Sequence, residues 1–186
     1  MEDIQEKYTR LRPKMKHGDT MLVHGEKAVS KIIQECDKGA YWTHFLIIME
    51  VSGVLFCVDS NAPGVHPARL SERIKEYAKK EGTDFVIRRS YKSEEEINVA
   101  FYNAMQRVER VGEIKYDFIN GIKSLLNRRF SFCNFKIKVD DKHDICSMFG
   151  YRYEHELQMV KTMSMKRSLF FPSDFETYQW KVIDIC

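Results

Sequence analysis

The run Tyr41-Trp42-Thr43-His44-Phe45-Leu46-Ile47-Ile48-Met49-Glu50-Val51 constrains this chain more than any other stretch. It is near-continuously apolar and rich in β-branched and aromatic residues, so it reads as a buried central strand. Ser52-Gly53 is a turn signal and Val54 to Ser60 returns as a second strand, which makes the pair a β-hairpin. Two polar residues interrupt it, His44 and Asp59. A buried imidazole or carboxylate costs free energy unless it finds a partner. With a two-residue turn, Val51 meets Val54, Leu46 meets Asp59 and His44 meets Asn61. His44, Asp59 and Asn61 then share a face, with Asp59 diagonal to His44 at about 7–8 Å and within side-chain reach. A slip of one residue would turn them to opposite faces.

A second stretch, Asp144-Ile145-Cys146-Ser147-Met148-Phe149-Gly150-Tyr151, carries a nucleophile candidate. Asp144 has the chemistry of a helix cap, and Cys146, Phe149, Tyr153, Leu157 and Val160 follow at helical spacing. Cys146 therefore falls in a first helical turn. There the free backbone N–H groups and the positive helix end favour a thiolate over a thiol. The same residue also reads as a small buried hydrophobe. A catalytic cysteine needs a base, usually histidine, and a polar group to orient it. Of the six histidines, 17, 66 and 155 sit among polar or loop residues and His143 on the approach to the helix, whereas His44 lies inside the apolar strand.

The rest of the chain reads as one α+β domain over residues 1–186. Residues 1–17 form an N-terminal arm or helix, Thr20 to Val23 a short strand, and Val29, Ile32, Ile33 and Cys36 one helical stripe. Asn61 to Gly64 breaks the hairpin strand, Ser71 is placed to cap a helix through Ala78, and Asp84 to Arg89 reads as another strand. Ser93 and Glu96 form a capping box ahead of Ile97, Phe101, Ala104, Val108 and Val111. Tyr116-Asp117-Phe118 opens a further helix with Phe118, Ile122, Leu125 and Leu126 inward. Ser173 and Glu176 match a second capping box, and Val182 to Ile185 a terminal strand.

Composition narrows the function classes. The net charge of +3 argues against a nucleic-acid footprint. Five scattered cysteines, an odd number, suit a reducing compartment rather than a disulfide framework. No apolar run has the length of a signal peptide or of a bilayer span. These features lead to the expectation of a cytoplasmic protein without an integral membrane segment.

Several short motifs occur in a suggestive order: Gly18-Asp19, Trp42-Thr43-His44, Val58-Asp59-Ser60 with Gly64-Val65, Tyr116-Asp117-Phe118, Ile145-Cys146-Ser147 and Pro172-Ser173-Asp174-Phe175. Together they resemble the YiiX/YebB-like branch of the NlpC-type cysteine peptidase superfamily, whose papain-like fold is circularly permuted. The resemblance runs from about Gly18 to Phe175. It implies an antiparallel sheet with the nucleophile at a helix N-terminus, a histidine preceding the cysteine in sequence, and a peptidase or amidase passing through an acyl-enzyme. By matching position it implies Cys146 as nucleophile, His44 as general base or ion-pair partner, and Asp59 as orienting residue. Asn61 is an alternative orienter or a substrate contact, and Tyr116 a candidate oxyanion donor beside the Cys146 N–H. The family more often carries Glu where this chain has Asp59, a signal peptide at the start, and a smaller residue where Met148 and Phe149 stand.

Other readings compete. Cys146 to Arg152 has the Cys-x5-Arg spacing of cysteine phosphatases, but Met148, Phe149 and Tyr151 are too bulky for a phosphate-cradling loop. Cys133, His143 and Cys146 lack paired zinc-ligand spacing, so no metal and no cofactor are expected. Arg128, Arg129, Lys136, Lys138 and Lys142 interleave with Phe130, Phe132 and Phe135, which reads as a loop beside the site rather than a nucleic-acid surface. Two alternatives stay open: an acylhydrolase or acyltransferase acting on lipids or esters, and a silent module binding a peptide or amino acid.

Overall fold

The computed structural model describes residues 3–25, 28–37, 40–61, 64–106, 115–116, 118–130, 135–136, 143–144, 146–158, 172–175 and 180–183. Its frame is a six-stranded sheet built around the hairpin. The strands are β1 (Thr20–His24), β2 (His44–Val51), β3 (Val54–Asn61), β4 (Gly64–Arg69), β5 (Asp84–Ser90) and β8 (Trp180–Val182), in the order β4-β3-β2-β1-β5-β8. Every neighbouring pair is antiparallel. β6 (Lys115–Tyr116) and β7 (His143–Asp144) form a separate parallel pair.

The hairpin has the expected register, from Val51 opposite Val54 to Leu46 opposite Asp59. Ser52 and Gly53 have φ of 50° and 76°, the positive values that a tight primed turn requires at both positions. The strand starts at His44 rather than Tyr41, and the ladder stops at Leu46, so Asn61 pairs with Gly64 of β4. The break expected after Asn61 is thus a second tight connection into β4. Pro67 is admissible in that strand because β4 is the sheet edge, where one face of the backbone needs no partner.

Alternation along the strands sorts the core into two layers. Phe45, Ile47, Val58 and Leu22 face Ile97, Phe101, Phe149, Tyr153 and Phe175. Leu46, Ile48, Cys57, Met21 and Phe85 face Leu11, Leu70 and Ile74 on the other side. The first layer is covered by α4 (Glu94–Met105) and α6 (Cys146–Glu156), the second by α1 (Ile4–Leu11) and α3 (Leu70–Ala78). α2 (Ala28–Cys36) and α5 (Phe118–Arg129) pack on each other beside the sheet.

α4 opens with the capping box foreseen at Ser93 and Glu96, and its buried face is Ile97, Ala100, Phe101 and Ala104; Val108 and Val111 lie outside the described residues. α3 begins two residues earlier than expected, with Arg69 at the cap position and no side-chain cap, so Ser71 lies inside the first turn. Tyr116 belongs to β6 instead of opening a helix, and Ile122 is 56% exposed, because α5 turns Leu125 rather than Ile122 inward. Pro172–Phe175 is a 3₁₀ turn, and Glu176 lies outside the described residues.

α6 lies close to the sheet. A Cβ on Gly150 would come 2.5 Å from Phe175 and 2.6 Å from Phe45, so only glycine permits this approach. Tyr153 donates a buried hydrogen bond of 2.8 Å to the Gly18 carbonyl. Arg88 of β5 reaches Glu154 at 3.3 Å and Thr20 Oγ1 at 3.1 Å. These contacts fix where the first residue of α6 stands relative to the start of β2.

Candidate active site

Cys146 is the first residue of α6 and is 4% exposed. Phe149, Tyr153 and Leu157 continue its stripe into the core, so apolar burial along the helix holds its start in place; Val160 lies outside the described residues. A residue in this position keeps an N–H without an intrahelical acceptor, at the positive end of the helix.

His44 opens β2, and its ring is 22% exposed at the end of the sheet. Its Nε2 lies 3.1 Å from Asp59 Oδ2. Its ring is also in hydrogen-bonding contact with Cys146. Nε2 is committed to Asp59, which leaves Nδ1 as the ring nitrogen available to another partner. Three residues from three elements therefore form one chain of contacts, Cys146 to His44 to Asp59.

Asp59 is 1% exposed and sits on β3, with the parity of Cys57, on the side covered by α3. Its second oxygen, Oδ1, accepts from Arg73 Nη2 at 3.3 Å. Arg73 is anchored by Glu76 at 2.7 Å and approaches His66 Nε2 at 3.4 Å. His66 stands directly opposite Asp59 in the β3–β4 ladder. Sequence reading misses both groups: nothing in it singles out Arg73, and His66 reads as a histidine among polar or loop residues. The available signal for Arg73 was its position next to the Leu70 and Ile74 stripe of α3.

The electrostatics follow from this arrangement. Burial by itself would push His44 below the ordinary imidazole range. The charge on Cys146, the hydrogen bonds to Asp59 and Cys146, and the charge of Asp59 outweigh it and raise His44 to about 10. Burial would likewise push Asp59 up, but the hydrogen bond and charge of His44, then Arg73 and His66, hold it below the usual carboxylate range. Burial and Asp59 push the neighbouring Cys57 thiol up to about 12, although Arg73 opposes them, so this second sulfur stays protonated. The site thus favours a protonated His44 beside the buried carboxylate of Asp59.

Two expected participants are placed only by backbone. Tyr116 pairs with Asp144, two residues before Cys146, and Asn61 ends β3; their side chains lie outside the described residues. The same holds for Asp144 and His143, and Cys133 lies outside the described residues. Among the described residues, no group of three or more His, Cys, Asp or Glu is arranged to hold a metal ion. No described helix is long and apolar enough to cross a membrane.

No protein-family profile matches the chain, and no curated protein matches it in sequence. Its fold is similar to a crystal structure of the metalloprotein YiiX from Escherichia coli O157:H7, of the family DUF1105. That superposition covers 90% of this chain and 95% of the other, with a TM-score of 0.57 and 16% sequence identity. The fold is YiiX-like. At that identity the likeness speaks for architecture alone.

Proposed function

We propose that this chain is a cysteine-dependent hydrolase of the NlpC type, with a circularly permuted papain-like arrangement, that cleaves peptide or amide bonds. One observation carries the reading: the His44 ring bridges Cys146 and the buried carboxylate of Asp59. The permutation is read from the order of elements, since the strand bearing His44 precedes the helix bearing Cys146.

In this reading Cys146 acts as a thiolate beside a protonated His44, and its sulfur attacks the substrate carbonyl. The carbonyl π electrons move to oxygen, and the Cys146 N–H at the start of α6 stabilises the resulting oxyanion. Tyr116 is the proposed second donor, and Asn61 a substrate contact. The tetrahedral intermediate collapses as His44 gives its proton to the leaving amine, leaving an acyl-enzyme and a neutral imidazole. His44 then takes a proton from water, whose oxygen attacks the acyl carbon and releases the acid with Cys146 free again. Asp59 keeps the proton-bearing Nε2 turned away from the sulfur throughout.

No metal is part of this mechanism. The Escherichia coli protein is a metalloprotein, but the donors at His44 and Asp59 do not fit a metal ion. His44 uses its ring between Cys146 and Asp59, and the remaining Asp59 oxygen faces the Arg73 guanidinium. A cation would have to displace one of these contacts.

The cytoplasmic setting is part of this reading and rests on the odd, scattered set of five cysteines in the sequence. Acyl lipids and esters remain the second substrate class, because attack on an acyl carbon is common to all of them. The test is a panel of peptide, amide, ester and acyl-lipid substrates, read by product release and by mass spectrometry of the enzyme. The expected result is turnover of an amide, with the acyl group trapped on Cys146, and loss of both in Cys146→Ala. Turnover that survives Cys146→Ala would end the reading; binding without any acyl adduct would favour the silent module.

A further inference from the structure

We propose that Arg73 is a positioning residue that locks Asp59 as an anion aimed at His44 and so sets the lower pH limit at which Cys146 is reactive. The inference rests on the hydrolase reading and adds a fourth member to its machinery, one that touches neither substrate nor sulfur.

The geometry of Asp59 carries the argument. A carboxylate has two oxygens, and a buried one with a single partner is free to turn about its last torsion or to take the imidazole's proton. Here the two oxygens are divided: Oδ2 to His44 at 3.1 Å and Oδ1 to Arg73 at 3.3 Å. With Arg73 on Oδ1, only Oδ2 is offered to the ring. Arg73 is itself held, its Nη1 tied to Glu76 one helical turn on at 2.7 Å, and its side chain is 13% exposed. In so dry a setting the interaction of two opposite charges at this distance is worth several times its value in water. Guanidinium does not lose its proton in proteins, so Asp59 is countered at every working pH.

The groups facing Asp59 are His44 from β2, Cys57 from its own strand, His66 from β4, and Arg73 and Tyr77 from α3, with Cys146 beyond His44. Tyr77 and Cys57 are neutral, since burial pushes both phenol and thiol upward. His66 Nε2 lies 3.4 Å from Arg73 Nη2, within reach of the same guanidinium. Arg73 is thus the permanent cation among them. Without it Asp59 takes up a proton more readily, His44 is held less firmly as imidazolium, and the thiolate loses two sources of positive potential. All three effects move Cys146 reactivity toward higher pH.

The experiment is the pH profile of iodoacetamide alkylation at Cys146, followed by peptide mass spectrometry, with Cys36, which is remote from Arg73 in the fold, as the internal reference. Wild type, Arg73→Gln, Arg73→Lys and Glu76→Gln are compared, and thermal unfolding is measured on each. The expected result is an acid-side arm in wild type that moves up by about one pH unit in Arg73→Gln. Lysine, which keeps the charge, should restore most of the shift, and Glu76→Gln should move the arm a smaller distance in the same direction. An arm at the wild-type position in a folded Arg73→Gln overturns the proposal and leaves Arg73 a packing residue. If that variant does not fold, Glu76→Gln decides: a shift supports the role, and an unmoved arm rejects it. Wild type without any acid-side arm removes the hydrolase reading itself, and the role of Arg73 with it.

Discussion

Asp19 and Asp59 are the same residue, each 1% exposed and each gripped by an arginine, yet their carboxyls are displaced in opposite directions. Asp19 stands just before β1, at the end of the sheet away from His44. Arg89 holds it with two short bonds, Nε to Oδ1 at 2.8 Å and Nη2 to Oδ2 at 2.7 Å, and the Lys16 N–H adds a third at 2.7 Å. Burial still prevails over these partners and raises its pKa. Asp59 has a single longer contact from Arg73, and it is lowered because its other oxygen meets His44. Asp19 is a clamp between β5 and the turn before β1, and its partners never change charge. Asp59 shares its charge with a ring that titrates. On the proposed reading, what sets Asp59 apart from Asp19 is a partner that gains and loses a proton, since burial and an arginine are common to both.

The largest effect that would sharpen this contrast is at His44. His44→Ala should slow alkylation of Cys146 at pH 6 by about 100-fold or more, the usual scale for removing a positioned acid–base group. Rapid alkylation in that variant would break the idea that the ring sustains the thiolate. Next come the two aspartates. Asp59→Asn should reduce the alkylation rate by about tenfold, equivalent to about 1.4 kcal/mol. Asp19→Asn should leave the rate within about twofold but lower unfolding stability in urea by about 1–3 kcal/mol, since it leaves Arg89 with poorer partners. Equal effects of the two substitutions on alkylation would erase the distinction.

A smaller effect is the pH dependence of stability. His44 is raised in the folded chain from 6.5 to about 10. Its contribution is therefore complete below about pH 6.5 and is lost as pH rises toward about 10. Urea midpoints should fall across that window in wild type and stay flatter in His44→Gln. Asp59, lowered from 3.8, acts in the opposite sense and contributes above that value, with loss only as the solution becomes strongly acid.

Much of the local pattern was legible in the chain. The hairpin register followed from a period of two and a two-residue turn, and it put Asp59 on the His44 face. The helical spacing of Cys146, Phe149, Tyr153 and Leu157 marked a buried stripe. Other features were misread for identifiable reasons. Asn61 to Gly64 reads as the end of the hairpin strand, and the sequence gives no sign that β4 follows it, since Pro67 is admissible in a strand only at the sheet edge. Ile122 was placed inward by spacing alone, while packing rotates α5 to bury Leu125. Arg73 has one weak local sign, its place beside the Leu70 and Ile74 stripe, and His66 has none, because a charged helix residue and a loop histidine are usually solvated.

The sequence by itself determined elements whose cause lies within a few residues: strand alternation, the tight turn at Ser52-Gly53, the Ser93 capping box, and the placing of Cys146 in a first helical turn. Tertiary structure alone decided that α6 approaches the sheet closely enough, at Gly150, to bring Cys146 to the His44 ring. It also decided that α3 carries Arg73 to the far oxygen of Asp59, and that Asp19 meets an arginine seventy residues away. Those pairings join distant segments. Their favourable energy exists only after burial has removed water from both partners, and that depends on the whole packing rather than on local pattern.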